Sequence, residues 1–294
     1  MGVAASAVPG RYDLGMTGAR TPKALALGQA LRQAREGRSI SLRGLAELAG
    51  KPTGTLSRWE TGVRSPSPED VASLLAVLEI DGAVCDELLA MARGTDEPLW
   101  LATTLPEQHQ QLAALLSFER EATSIADVSP LLIPGLCQTA SYARSIMSLA
   151  GVPDSDVDTR VAIRLGRRDV LQRQEPAQFT ALIGETALQP VIGGPAVMLE
   201  QLRHLLWLAS LSNVELRVIP ARTGWHPGHE GPFILVQRPD EAVVHLENRR
   251  SGLFLHRASD VALYQQAVRR VSDVALGPPD SAEVISQEIK RLDV

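Results

Sequence analysis

Apolar residues recur at helical spacing through the first third of the chain. Leu25, Leu27, Ala30 and Leu31 give one apolar face to a helix over 24–35, with Arg32 and Arg35 turned elsewhere. Ser41 is placed to cap a helix over 42–49, and Gly50 ends it. A short third helix spans 53–60 and stops at Gly62. Ser67, Pro68, Glu69 and Asp70 open a fourth helix that runs through 78: a cap, a pre-set backbone and an acidic first turn. A fifth covers 84–91. Gly94-Thr95-Asp96-Glu97-Pro98 breaks the pattern and marks a domain boundary.

Beyond that boundary the pattern is mixed. Long helices are expected at 106–127, 138–149, 156–174, 195–212, 259–275 and 281–292. Between them lie β-like runs at 179–184 and 214–219, the latter alternating cleanly enough to bury one face. Three closely spaced runs, 233–237, 243–246 and 253–256, suggest an antiparallel meander. Ile285, Ile289 and Leu292 share one face of the last helix and suit either a dimer contact or packing onto the domain. There is no tandem repeat and no low-complexity tract.

One stretch carries more than periodicity: Leu42-Arg-Gly-Leu45-Ala46-Glu-Leu-Ala49-Gly50-Lys-Pro-Thr-Gly-Thr-Leu56-Ser57-Arg58-Trp59-Glu60. Two helices joined by a short turn need a small residue where their backbones approach, and Ala46 fills that place. Gly50 supplies the left-handed turn, while Leu45, Ala49, Leu56 and Trp59 supply a shared core. This is the pattern of a helix-turn-helix, whose second helix presents its N-terminal residues to base edges in the DNA major groove. Thr53, Ser57 and Arg58 are the base-reading candidates, with Arg58 suited to a bidentate contact to guanine. Arg32, Arg35, Arg43, Lys51 and Arg64 are candidates for phosphate contacts. Trp59 reads as core.

The fold class is therefore mainly α with α+β: an N-terminal five-helix helix-turn-helix domain, then a larger α+β domain with a mostly antiparallel sheet. Residues 1–20 read as a flexible tail without the apolar stretch of a secretory signal. Residues 21–94 form the DNA-binding domain, and 99–294 a regulatory or partner-binding domain.

Composition narrows the classes. Two cysteines, Cys85 and Cys137, give neither a disulfide scaffold nor a zinc spacing, and the expected compartment is the cytoplasm. No apolar run approaches the ~18–20 residues of a membrane span, so no membrane partner is expected. The net charge of −5 argues against a protein coated with nucleic acid. The regional balance changes that picture. Residues 21–64 hold eight basic and three acidic residues, whereas 65–93 hold one basic and six acidic ones. The positive charge sits where the DNA-facing helices sit.

The N-terminal pattern, together with Leu56-Ser57-Arg58-Trp59-Glu60-Thr61-Gly62 and Arg64-Ser65-Pro66-Ser67-Pro68, resembles the XRE (Cro/repressor-like) family of regulators. One departure is that Pro52 and Gly54 stand where members often carry a Ser or Thr cap followed by Gln or Ser. Base readout then falls to Thr53, Ser57 and Arg58. The second half resembles a C-terminal domain of unknown function found in many actinomycete XRE regulators. The stretches that carry it include Ile133-Pro134-Gly135-Leu136-Cys137-Gln138-Thr139, Gly184-Glu185-Thr186-Ala187-Leu188 and Gly231-Pro232-Phe233. The resemblance implies an antitoxin-like or developmental regulator of transcription. It also implies a small acidic partner protein encoded nearby. Two-fold pairing of recognition helices leads to the separate expectation of a homodimer on a near-palindromic double-stranded operator.

Chemistry in the second domain is sparse. His226, His229 and Glu230 share a Gly/Pro loop, but their spacing fits no zinc signature, so a structural or ligand-gating loop is expected. Glu185 follows a strand and suits a buried pair with Arg164, Arg167 or Arg168, and Glu119 falls under the same architectural reading. There is no phosphate-cradling glycine loop and no nucleophile elbow. No catalytic residue, cofactor or metal is expected, and the chain is not expected to be an enzyme. The second domain is expected to dimerise, or to bind a small ligand or a partner protein. The alternative is a metal-assisted hydrolase built on His226, His229 and Glu230, tethered to DNA by the helix-turn-helix.

Overall fold

A computed structural model describes residues 21–95, 97 and 99–293. The expected tail, 1–20, lies outside the described residues. The chain divides into two compact units, the first ending at residue 96 and the second beginning at 97.

The first unit is five helices: α1 (Pro22–Gly37), α2 (Leu42–Leu48), α3 (Thr53–Glu60), α4 (Pro68–Val77) and α5 (Gly82–Ala92). Local chemistry starts three of them. The Oγ atoms of Thr21, Ser41 and Ser67 accept the backbone N–H of Ala24, Gly44 and Asp70, satisfying donors that a helix start leaves open. Leu27, Leu31, Leu45, Leu56, Trp59, Val71 and Leu75 form the buried centre. Two glycines allow α3 to lie close against α1. A Cβ on Gly28 would overlap the carbonyl oxygen of Trp59 and sit 2.8 Å from that of Glu60. Gly62, at φ +70°, would place a Cβ 2.7 Å from Cα of Leu25.

The second unit is built on a seven-stranded mixed sheet in the order β1-β7-β6-β5-β2-β3-β4. The strands are β1 (Leu99–Ala102), β2 (Ser124–Ser129), β3 (Gln178–Gly184), β4 (Val214–Ile219), β5 (Phe233–Gln237), β6 (Ala242–Glu247) and β7 (Gly252–Leu255). Strands β2, β3 and β4 are parallel and all other pairs antiparallel, including the expected meander β5-β6-β7. The helices are α6 (Leu105–Arg120), α7 (Ala140–Leu149), α8 (Asp154–Gly166), α9 (Pro195–Ala209), α10 (Ala258–Val274) and α11 (Pro278–Leu292).

Three sequence expectations change. The helix expected over 106–127 ends at Arg120, and its last residues belong instead to β2, a central strand. Pairing with β3 on one side and β5 on the other outweighs the local helical reading of that stretch. The helix expected over 156–174 gives way after Gly166 to the 3-10 turn Arg167–Leu171. β1 was not expected at all; it pairs with β7 at the sheet edge, burying Trp100 and Ala102 and exposing Leu99 and Leu101.

The sheet's two faces differ. On one, Val128, Leu182, Phe233, Leu235 and Val244 pack with Val261, Val271 and Ala275 of the α10 segment. The other carries Ile125, Phe254 and Trp100, with Phe118 of α6 tilted over Phe254 at 6.3 Å between ring centroids. In α11, Ile285 is fully buried with Ile289 and Leu292 half-buried, and Ser281 Oγ accepts the N–H of Val218 at 2.8 Å. That face packs onto its own domain. No helix among the described residues is long and apolar enough to cross a membrane.

Candidate nucleic-acid interface and a buried polar centre

α2 and α3 meet where Ala46 is 3% exposed, so the side chain at that point is no larger than the gap. Gly50 adopts φ +62° between them, and the N–H of Lys51 donates to the carbonyl of Ala46 at 3.0 Å, closing α2. Pro52 stands at the cap position of α3 and makes no side-chain cap, as the sequence implies. Leu56 and Trp59 point inward, which turns the N-terminal residues of α3 out. Thr53, Gly54 and Arg58 are exposed and Ser57 is half-buried. Among the described residues, the Arg58 guanidinium has no hydrogen bond or ion pair.

The phosphate candidates differ in how far other groups already hold them. Arg64 is exposed and its side chain has no partner among the described residues. Arg32 and Arg43 are exposed and pair one turn away with Glu36 (2.7 Å) and Glu47 (3.0 Å), contacts weak enough to be exchanged for a phosphate. Lys51 is committed to Asp70 at 2.6 Å and lies 5.7 Å from the Trp59 ring centre. Arg35 is a correction. It is 7% exposed, its Nε and Nη2 donate to both oxygens of Glu60 (2.6 and 2.8 Å), and Nη1 donates to the carbonyl of Ile40. Each nitrogen of its guanidinium is used internally, so it ties α1 to the end of α3 and offers no edge to DNA.

The second unit buries a small group of charged and titratable side chains. Strand register aligns Asp127 of β2 with Ile234 of β5, His245 of β6 and Phe254 of β7, so these residues form one row on the α6 face. Over that face, Glu119 of α6 accepts from Arg167 through both oxygens, at 2.7 and 2.8 Å. Their side chains are 2% and 8% exposed. Burial acts against the Arg167 charge, but the adjacent Glu119 carboxylate outweighs it and holds the guanidinium protonated.

Asp127 is 3% exposed and accepts from Ser129 Oγ at 2.6 Å. Burial pushes its carboxyl up to about 6, against the opposing pull of Ser129 and the Arg167 charge. His245 is pushed down to about 4 by burial and by Arg167, so its ring is neutral at neutral pH. Sequence reasoning missed both. A single polar residue inside a short apolar strand was the only signal, and the row exists only once the register is known.

The segment after β2 packs against this centre, and the end of β3 packs against that segment. Gly184 is required because a Cβ there would overlap the carbonyl oxygen of Pro130, and Thr186 Oγ1 donates to the same carbonyl at 3.0 Å. A Cβ on Gly135 would stand 3.2 Å from Nη1 of Arg167. Arg164 donates to Gln138 Oε1 at 2.9 Å, and Gln138 Nε2 donates to the Ile133 carbonyl at 2.8 Å.

Glu185 differs from expectation. It is half-buried and accepts the N–H of Ala221 at 2.8 Å, bracing the segment after β4 rather than pairing with an arginine. The buried partner of Arg167 is Glu119, because α6 and not the end of β3 lies over that guanidinium. His226 and His229 are used by the backbone of their own loop: Nδ1 of His226 accepts the N–H of Gly228 (3.1 Å), and Nδ1 of His229 accepts the backbone N–H of His226 (3.2 Å). Glu230 is exposed beside them. No group of three metal-ligating side chains converges among the described residues.

No curated protein matches the chain. Residues 26–88 match the helix-turn-helix domain family, the DNA-binding fold that α1–α5 form. Residues 112–287, more than half of the chain, match a domain of unknown function, DUF5753, and the chain belongs to that family.

Proposed function

We propose that the protein is a sequence-specific transcriptional regulator of the XRE type. It binds as a homodimer to a near-palindromic site, and its second unit takes up a regulating ligand or a small acidic partner protein. The observation that carries the reading is the outer face of α3. It presents Thr53, Ser57 and an unpaired Arg58, while Leu56, Trp59 and the glycine contacts hold the helix against α1. A helix that is rigid on its inner side and uncommitted on its outer side suits base readout.

Two-fold symmetry would set two such helices about 34 Å apart, one turn of DNA. Arg58→Ala is expected to weaken specific binding by about 1–3 kcal/mol and to relax selectivity at one base pair. Fluorescence titration on the site recovered by selection from random DNA measures both. Parental affinity and selectivity in that variant would remove Arg58 from the reading. A ligand or partner regulates DNA binding only through unequal affinity for two states of the protein.

A further inference from the structure

Outside the buried centre, the second unit has a groove of about 510 Å³ between the end of α8 and α9, lined by Leu165, Gly166, Arg168, Asp169, Gln172, His204 and Trp207. Its walls are unlike ordinary surface. Trp207 is 45% exposed, and its ring stacks on His204 with centroids 5.2 Å apart and planes 19° apart. The stacked pair gives that side of the groove an aromatic wall. At its edge, Nη1 of Arg168 lies 3.1 Å from Nε2 of His204.

Arg168 makes no ion pair among the described residues, and neighbouring Asp169 does not pair with it. It is half-buried, so its charge is only partly solvated. Burial, then the Arg168 charge, holds His204 below the ordinary range, which keeps it neutral and lets Nε2 accept from the guanidinium. That contact orients Arg168 without neutralising it. An unneutralised guanidinium at the edge of an aromatic wall is complementary to a flat ring bearing an acidic group. The volume is that of a small-molecule site. Asp169 and Gln172 add an acceptor and an amide at the rim.

We propose that this groove binds a small aromatic anion, its ring stacked on Trp207 and its phosphate or carboxylate on Arg168. The proposal gives the ligand of the regulatory reading a site and a chemical class. Arg168 adjoins Arg167 in the same 3-10 turn, so an occupant would pull on the segment that Glu119 locks to α6.

The test is calorimetric titration of the full chain without DNA, so that a failure of DNA binding leaves its outcome independent. The probes are adenosine and guanosine monophosphate, indole-3-acetate and inorganic phosphate. Binding of a nucleotide or of the aromatic carboxylate supports the proposal and identifies the source of the acidic group. Arg168→Gln and Trp207→Ala are each expected to weaken that binding about tenfold or more. Gly166→Phe is the packing control. Gly166 is in ordinary helical conformation and a Cβ there meets nothing within 4 Å, so a ring at this position fills the groove without displacing the core. It is expected to abolish binding with unfolding unchanged. The proposal is overturned if no ring-bearing probe binds at millimolar concentration, if inorganic phosphate binds as tightly as the nucleotides, or if the three variants bind like the parent.

Discussion

Asp127 and His245 are both buried and ionisable, and burial shifts them in opposite directions. Asp127 has a folded-state value near 6 against an ordinary 3.8. Its contribution to stability is therefore fully present below pH 3.8 and is lost as pH rises through 6. His245 has a folded-state value near 4 against 6.5, so its contribution is fully present above 6.5 and is lost as pH falls through 4. Between about pH 4 and 6 the two slopes largely cancel. Removing one exposes the other.

Asp127→Asn keeps an oxygen for Ser129 and removes the buried charge. Relative to the parent, it is expected to gain stability as pH rises from 4 to 6, levelling at about 2–3 kcal/mol. His245→Leu is expected to show its largest deficit relative to the parent above pH 6.5, shrinking as pH falls to 4. Urea unfolding across that range reads both, and curves parallel to the parent's would refute the opposed pair.

At the scale of elements, the first unit was legible because its determinants are local. Thr21, Ser41 and Ser67 cap helices within three residues of themselves, and Gly50 and Gly62 mark turns by their own backbone requirement. What could not be read there was long-range: the Arg35–Glu60 pair joins residues 25 apart and turned a phosphate candidate into a brace. The second unit was legible for the strands with clean alternation or flanking turns. It failed at β2, which follows α6 after only three residues and is a strand because β3 and β5 flank it. The buried centre hangs on that strand, so missing β2 meant missing Asp127.

The α1–α3 approach makes a further expectation. In Gly28→Ala the added methyl meets two backbone carbonyls rather than the end of a flexible side chain, so α3 must move. The cost is expected to be at least the 1–3 kcal/mol typical of overpacking. Amide exchange should rise in α1–α3 and stay unchanged in β2–β4. Specific DNA binding should fall with α3 displaced, although Gly28 itself faces Trp59 and not the outer surface.

Over the whole molecule, the net charge of −5 conceals a basic segment, and the structure reduces that segment further. Of its eight basic residues, Arg35 is consumed inside and Lys51 is held by Asp70, while Arg32 and Arg43 carry neighbouring carboxylates. The uncommitted guanidiniums are Arg58 and Arg64, set against a second unit that is acidic overall. Electrostatic attraction to DNA should therefore be modest, with affinity resting on a few well-placed contacts. Each phosphate contact contributes about 0.9 to the slope of log affinity against log salt. Arg64→Ala is expected to make that slope shallower by about 0.9 per protomer while leaving the order of preferred sequences unchanged. Arg58→Ala should instead change the order. Titrations of both variants on the selected site and on single-base variants, at several salt concentrations, separate the two roles. A change of sequence preference in Arg64→Ala would give that residue a part in sequence readout, at base edges or through DNA shape, because neutralising a phosphate charge is by itself blind to sequence.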